Sequence, residues 1–459
     1  MSKSMRIRQV GILSFVKSRG SIPFPVYINQ FLGEVVYMGK TKWMAALGIT
    51  TMLFGSLLAG CGGGEKSEKA NGGSKQGEKV EVTLAGWGGN PSEQKLLRQT
   101  LDDFEKKHPN IKVKYEVIAD QYMDVIKTRL AGGQGPDVFY LDAFEAPALI
   151  ETGALEPLDK YVTDDFDIND FEKPMLDAFK GKDGKIYGFP KDYSTLALFY
   201  NKKMFEEAGV EVPKTWDELR EAAKKLTKGK QVYGFGVAPE LARLYYIAES
   251  KGGKVVTDNK ASFADPKVVE ALQPIVDMHL KDKSAAQPNE VGATWGGEMF
   301  GQGKAAMVIE GNWAIPFLQD TFPNLEFGTA EVPMINGKKA TMAYTVAYVM
   351  NKDSKKKEAA WELISYLTGK EGMKTWTSKG YALPTRKSVA AELGFDKDPL
   401  RAPLVAGASY ATVWQNGTNL PIIVNNFNNQ FVSAFLGERP LADALKEAEK
   451  TANREIESK

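Results

Sequence analysis

The chain has 459 residues, with 59 Lys and Arg, 58 Asp and Glu, two His and one Cys, and a formal net charge of +1. Its 43% hydrophobic and 25% charged residues are typical of a soluble globular protein, which excludes collagen-like, low-complexity and wholly disordered chains. The near-neutral charge argues against nucleic acid as a partner. A single cysteine excludes an internal disulfide, and the length predicts about two or three domains.

The first 60 residues differ in charge from the rest of the chain. They hold seven basic residues and one acid, so the remainder has 52 basic and 57 acidic residues and a net charge of −5. We interpret residues 1–37 as upstream sequence from a mis-assigned start, with a genuine extension as the alternative. Met38 would begin a signal of ordinary length, because a short basic segment ending at Lys42 precedes an uncharged apolar run over residues 43–58.

The apolar run ends at Leu58-Ala59-Gly60-Cys61, which resembles the bacterial lipobox. The run is shorter than the ~20 residues that a membrane-spanning helix needs. We therefore predict a lipoprotein signal peptide over residues 38–60 and a lipid anchor on Cys61; the alternative is a buried cysteine after an apolar helix. Residues 61–79 are polar and rich in glycine, which predicts a flexible linker that holds the folded body at the extracellular face of the bacterial cytoplasmic membrane.

Strand and helix patterns alternate from residue 80 onward. Alternation at a period of two, or a short apolar run, predicts strands at residues 80–84, 111–117, 137–141 and 304–309. Apolar residues at helical spacing predict helices at residues 90–104, 122–130, 354–367 and 441–457, and a capping box at Thr215 predicts another helix start. This order predicts an α/β fold with a largely parallel sheet, in two lobes interwoven by several crossings.

Residues 192–205, with the sequence DYSTLALFYNKKMF, resemble the signature of family 1 extracellular solute-binding proteins. These proteins are the substrate-capturing subunits of ABC importers, in the maltose- and oligosaccharide-binding group. Further motifs at residues 213–219, 303–313 and 357–361 follow in the same order, and the resemblance covers about residues 80–455. It implies a two-lobed periplasmic-binding-protein fold, type II-like, with mixed, mostly parallel sheets and hinge crossings between the lobes. Lobe 1 would comprise residues 80–190 and 346–392, and lobe 2 residues 191–345 and 393–459.

A carbohydrate presents C–H ring faces to flat aromatic side chains and hydroxyl groups to carboxylates and amides. Open α/β sheets bind ligands beyond the carboxyl ends of their strands. Trp87 ends the first strand and is expected either to contact ligand or to pack in the core. Asp142 follows the strand at 137–141 and either faces the cleft or caps a helix. Asp192, Tyr193 and Ser194 lie where the chain crosses between the lobes, so at least one should meet the ligand.

The second lobe supplies further candidates for ligand contact. Trp313 coincides with the family's stacking tryptophan, and Glu310 and Asn312 flank it as polar partners. Trp295 resembles a second-lobe aromatic residue of relatives that bind oligosaccharides. Additional candidates are Arg243, Tyr344, Tyr381 and Trp414.

The remaining helical tryptophans and the two histidines are assigned structural roles. Trp216, Trp361 and Trp376 lie beside apolar partners in helices, which predicts packing. His108 and His279 lack neighbours at ligand spacing, so we expect no metal site and no cofactor.

Three classes of function remain open on these residues. We expect a monomeric, non-enzymatic binding subunit that captures a carbohydrate, an oligosaccharide in particular, and delivers it to ABC permease subunits. A lipid-anchored glycoside hydrolase would also combine carboxylates with aromatic residues, and a structural lipoprotein is the third class. Within the binding class the ligand could also be a polyol, an amino sugar or glycerol phosphate. The scarcity of predicted cleft cations favours a neutral oligosaccharide.

Overall fold

The computed structural model describes residues 79–89 and 91–458. The predicted start region 1–37, the signal peptide 38–60, the anchor Cys61 and nearly all of the linker lie outside the described residues. Among the described residues, none of the helices combines the length and the apolar character needed to span a bilayer.

The strand predictions are confirmed, and shorter strands add to them. In the described part of the chain the strands are β1 (Val80–Gly86), β2 (Ile111–Val117), β3 (Val138–Asp142), β4 (Gly188–Asn201), β5 (Tyr233–Gly236), β6 (Val256–Thr257), β7 (Lys260–Ala261), β8 (Ala285–Ala286), β9 (Ala305–Gly311), β10 (Phe327–Glu331), β11 (Thr341–Met350) and β12 (Ala411–Val413).

The helices of the described residues are α1 (Pro91–Lys107), α2 (Tyr122–Ala131), α3 (Ala146–Glu151), α4 (Lys173–Asp177), α5 (Lys202–Ala208), α6 (Trp216–Leu226), α7 (Leu241–Ala248), α8 (Pro266–Leu280), α9 (Gly296–Gly301), α10 (Ala314–Thr321), α11 (Lys357–Leu367), α12 (Lys370–Thr377), α13 (Lys387–Leu393), α14 (Ala402–Gly407), α15 (Leu420–Phe435) and α16 (Leu441–Glu457). Short 3₁₀ turns lie at Asp159–Tyr161, Asp164–Phe166, Ile168–Asp170, Pro288–Val291 and Phe395–Lys397.

Side-chain caps fix where several helices begin. The predicted capping box of α6 is present: the Thr215 hydroxyl accepts from the Glu218 amide, and the Glu218 carboxylate accepts from the Thr215 amide. Helix α11 begins at Lys357, three residues later than predicted, because the buried Ser354 donates to the carboxylate of Asp137 and accepts from the Lys356 amide. Helix α16 has the predicted bounds.

The main sheet is mixed and has the strand order β2-β1-β3-β11-β4-β9-β5-β8, with β10 paired to β4 and β12 to β11. Its two ends are parallel, through the pairs β1–β2, β1–β3, β5–β9 and β5–β8, whereas the central pairs β3–β11, β11–β4 and β4–β9 are antiparallel. The long strand β4 pairs with β11 over residues 188–195 and with β9 over residues 196–200. A single strand therefore runs through both halves of the sheet.

Separate apolar cores cover the two halves, which we call the first lobe (around β1, β2 and β3) and the second lobe (around β5, β8 and β9). Phe104 and Phe189 are fully buried in the first lobe, and Phe263, Phe427 and Phe431 are fully buried in the second. Burial of one such side chain contributes about 1.5–3 kcal/mol. Each half of the sheet therefore has its own apolar core against which its strands pack.

A β-bulge interrupts the pairing of β4 with β11 where β4 leaves the first lobe. Val346 lies opposite Asp192 and Ala347 lies opposite Pro190, so Lys191 is the additional residue. Successive side chains of a regular strand point to opposite faces, and a bulge changes that alternation. The bulge allows Lys191 and Asp192 to face the same cavity.

Candidate ligand-binding cleft

A cavity of about 420 Å³ lies at the carboxyl ends of β1 and β3, beside β4 and β11. Its aromatic lining comes from both lobes and comprises Trp87, Tyr115, Tyr140, Phe144, Tyr193, Trp313, Tyr344, Trp376, Tyr381 and Trp414. Its charged lining comprises Glu93, Asp142, Lys191, Asp192, Glu240 and Arg243. Flat aromatic rings with a few polar groups are the lining expected of a carbohydrate site.

Ten of the thirteen predicted ligand-binding residues line this cleft: Trp87, Asp142, Asp192, Tyr193, Ser194, Arg243, Trp313, Tyr344, Tyr381 and Trp414. Trp295 and Glu310 line a neighbouring cavity of about 440 Å³, which shares Glu240 and Arg243 with the cleft. Direct contact of any of these residues with a ligand remains a prediction.

Asn312 supports the cleft from behind and is fully buried, with 0% exposure. Its Oδ1 accepts a hydrogen bond from Ser194 Oγ at 2.9 Å, and its backbone amide donates to Ser194 Oγ at 2.9 Å. The structure therefore places Asn312 among the groups that orient Ser194, and not in the cleft lining as its sequence position suggested.

Trp87 both packs on the core of the first lobe and lines the cleft. Its ring meets the edges of Tyr122 and Tyr140, with centroid distances of 5.2 and 5.1 Å. The preceding Gly86 permits this packing, since a Cβ atom there would lie 2.6 Å from the ring of Tyr140. The two alternatives considered for Trp87 are thus compatible.

Asp142 ends β3 and faces the cleft; it does not cap a helix, because the N-cap residue of α3 is Glu145. Its Oδ1 accepts from the Phe144 amide at 3.1 Å, which tightens the turn after the strand, and the side chain also lines the cleft. Burial raises the pKa of Asp142 from 3.8 to about 7, and the negative charges of Glu145 and Asp192 add to the effect.

Lys191, Asp192 and Trp376 form a linked unit on the wall of the cleft. The Lys191 ammonium group pairs with the Asp192 carboxylate, and Trp376 Nε1 donates to Asp192 Oδ2 at 2.6 Å. Lys191 Nζ also lies 4.1 Å from the ring centroid of Trp376 and 5.0 Å from that of Tyr140. Trp376 packs beside the first-lobe core, as predicted, and it also lines the cleft, which the prediction of packing did not include.

Arg243, Glu310 and Trp313 form a similar unit in the second lobe. Arg243 Nη2 and Trp313 Nε1 both donate to Glu310 Oε2, each at 3.2 Å. The guanidinium carbon lies 5.0 Å from the ring centroid of Trp313 and 5.5 Å from that of Tyr344. Glu310 is thus a buried partner that holds Arg243 and Trp313 in place. Both units fix a tryptophan by its nitrogen and cover one of its faces with a cation.

Replacing Asp142 with asparagine should stabilise the unliganded protein at pH 8 and have little effect at pH 4. The folded protein binds a proton at Asp142 up to about pH 7, whereas the unfolded chain releases it near pH 3.8, so wild-type stability is lost as pH rises through this window. The gain at pH 8 is at most about 4 kcal/mol, and Asn can still accept the Phe144 hydrogen bond. Thermal unfolding of the wild type and the variant at both pH values measures the difference in stability. An equal difference at pH 4 and pH 8 would contradict the raised pKa of Asp142.

Among the described residues, no group of three or more His, Cys, Asp or Glu side chains is arranged to hold a metal ion. His108 stacks on Phe104 and bonds Glu362, and His279 stacks on Phe435 and bonds the Ala285 carbonyl. Both histidines have the structural roles expected of them.

Known proteins with similar sequences include bacterial binding proteins. The model of the bacterial extracellular solute-binding protein family matches residues 88–374, more than half of the chain. A binding protein of Brucella abortus is 30% identical over 303 residues, which cover 62% of this chain and 72% of the relative. The arabinooligosaccharide-binding protein of Bacillus subtilis is 25% identical over 441 residues, which cover 89% of this chain and 96% of that protein.

A solved structure extends this likeness to the fold. The ABC substrate-binding protein from Listeria monocytogenes in complex with cycloalternan matches with a TM-score of 0.76 and 28% identity, over 82% of this chain and 99% of that chain. The match confirms the predicted two-lobed α/β architecture with a mixed sheet. On the family match, the relatives and the fold, this chain belongs to the bacterial extracellular solute-binding proteins.

Proposed function

We propose that this protein is the substrate-binding subunit of an ABC importer, and that it captures a neutral oligosaccharide between its lobes. The observation that carries the proposal is the cleft itself, where aromatic rings of both lobes line one cavity together with carboxylates. Rings suit the C–H faces of sugars, and carboxylates accept hydrogen bonds from their hydroxyl groups. The named ligands of the Bacillus subtilis and Listeria monocytogenes proteins are also saccharides.

Ligand capture would use the two-lobed design. We take the lobes to comprise residues 80–190 with 346–392, and residues 191–345 with 393–459. A ligand that contacts both would favour a closed arrangement, since a ligand shifts an equilibrium by its differential affinity for the two states. A monomer in this closed form would then dock to the permease and release its ligand. An affinity in the micromolar range, about −8 kcal/mol, suits a carrier that must release.

A thermal-shift screen tests this proposal. We expect maltotriose, mannotriose, arabinotriose or galactotriose to raise the unfolding temperature, and glycerol phosphate to have no effect. Absence of stabilisation by every saccharide would overturn the proposal.

Product analysis separates binding from catalysis. The rival function, glycoside hydrolysis, needs one carboxyl group that donates a proton and a second that remains ionised. Asp192 is held by both Lys191 and Trp376, which favours a binding role for this carboxylate. We expect the stabilising saccharide to be recovered intact after prolonged incubation, and release of shorter saccharides would instead assign an enzyme.

Lipid anchoring is part of the proposal and rests on the sequence around Cys61. Replacing Cys61 with serine removes the thiol that would carry diacylglycerol, so the protein should move from the membrane fraction to the medium. Cell fractionation with immunodetection measures this change. A Cys61→Ser protein that stays with the membrane as the wild type does would contradict the anchor.

A further inference from the structure

Both cations that line the cleft are already paired with carboxylates. Lys191 contacts Asp192, and Arg243 contacts Glu310. Lys191 is 5% exposed and Asp192 is 7% exposed, so little water screens this pair. A buried ion pair is neutral as a unit. Neither pair therefore presents a net positive charge to a molecule that enters the cleft.

The other charged groups of the cleft are acidic. Glu93, Asp142 and Glu240 also line it, and Asp142 holds its proton up to about pH 7, so none of these three groups adds positive charge to the cleft. A carboxylate on a ligand would lose its water shell on entry without gaining a counter-charge. The absence of a net positive site, and not a scarcity of cations, disfavours anionic ligands.

The Lys191–Asp192 pair is also held so that it cannot easily exchange partners. The β-bulge places both side chains on the cleft side of β4, and Trp376 Nε1 donates to the Asp192 carboxylate. The rings of Trp376 and Tyr140 lie within 4.1 and 5.0 Å of the Lys191 ammonium group. An anion could recruit Lys191 only by drawing it away from Asp192 and both rings.

We propose that the Lys191–Asp192 pair sets the charge selectivity of the cleft, so that it admits uncharged saccharides and excludes those that carry a carboxylate. This inference rests on the proposed function, because it assumes that the cleft binds saccharides. It assigns to Lys191 a specificity role that goes beyond holding Asp192 in place.

An Asp192→Asn variant tests the selectivity directly with D-glucuronate, a monosaccharide whose carboxylate can orient freely in the cavity. The variant keeps the side-chain size and an acceptor for Trp376, but it leaves Lys191 without a counter-charge. We expect D-glucuronate to bind this variant about tenfold or more tighter than the wild type in calorimetry. Equal affinity for the two proteins would overturn the proposal.

A Lys191→Met variant provides the reciprocal measurement and decides the matter if the first variant fails to fold. It leaves the Asp192 carboxylate unpaired, so D-glucosamine, which carries an ammonium group, should bind about tenfold or more tighter than to the wild type. An unchanged affinity for D-glucosamine would show that Lys191 only positions its neighbours. The double variant, which removes both charges, should gain neither ligand.

Asp137→Asn is the matched control. Asp137 is also 7% exposed and paired with a lysine, Lys356, but it lies at the opposite end of β3 from the cleft. It should leave the affinity for D-glucuronate unchanged. If the wild type binds no neutral saccharide of the screen, the proposed function fails; if it binds them but neither single variant changes charge preference, only the inference about Lys191 and Asp192 fails.

Discussion

Replacing Trp313 with alanine should weaken oligosaccharide binding by about tenfold to a hundredfold while the protein stays folded. Trp313 lines the cleft at the start of α10, and its indole nitrogen is fixed by Glu310. Loss of the ring removes an apolar surface worth about 1.5–3 kcal/mol to a stacked sugar, and each 1.4 kcal/mol corresponds to about tenfold in affinity. Calorimetric titration of wild type and variant with the same saccharide measures the effect.

Trp361→Ala is the control for this experiment. Trp361 belongs to α11 and packs on Tyr161 and Phe166 of the first lobe, outside the lining of the cleft. It should lower stability through lost packing and leave affinity unchanged. If Trp313→Ala binds as tightly as the wild type, Trp313 is not a sugar platform.

Replacing Arg386 with methionine should destabilise the protein by about 3–5 kcal/mol, the cost of breaking a buried charged network. Arg386 is 1% exposed, and its guanidinium group donates to the carbonyl oxygens of Thr368, Asp167 and Phe166 at 2.6–3.0 Å. It also reaches the carboxylate of Asp170 at 3.4 Å. Methionine fills part of the volume but leaves these acceptors without their donor, among them the carbonyl oxygen of Thr368, which is 0% exposed.

Urea unfolding of Arg386→Met and of an exposed control tests this expectation. The side chain of Arg98 is 41% exposed and pairs with Asp102 and Glu105 on α1, so Arg98→Met should cost less than about 1 kcal/mol. An Arg386→Lys variant keeps the charge but not the planar fork of donors. Its loss of stability should lie between those of Arg386→Met and Arg98→Met. A loss below about 1 kcal/mol for Arg386→Met would contradict the structural role of this network.

Much of the cleft could be predicted because strand ends are visible in a sequence. The apolar run before Asp142 and the alternation before Trp87 located both residues at the carboxyl ends of parallel strands, and both line the cleft. The motif around Asp192 located the crossing strand. These patterns are local, so strand ends can be predicted from them without knowledge of tertiary contacts.

Lys191 could not be predicted because its orientation depends on a β-bulge. In a regular strand, Lys191 and Asp192 would point to opposite faces, and only the shifted pairing with β11 brings both to the cavity. No residue pattern within β4 indicates this shift in its pairing with β11. The bulge also explains why the sequence indicated too few cations in the cleft.

The directions of the Trp376 and Asn312 side chains could not be predicted from the sequence either. Helical spacing identifies the buried face of α12, but not that this face ends beside Asp192 of a strand distant in sequence. Asn312 sits next to Trp313 in the chain, yet its side chain turns behind Ser194. Proximity in sequence did not translate into proximity to the cleft, because side-chain direction at a strand end depends on tertiary partners.

The most direct test of the central claim is calorimetric titration of the wild-type protein with the most stabilising trisaccharide of the screen. After the titration, the solution in the calorimeter is analysed for the intact trisaccharide and for shorter products. The proposed function leads us to expect one binding site per chain, a dissociation constant in the micromolar range and a saccharide recovered intact. No binding heat with any trisaccharide, or recovery of shorter products, would contradict it.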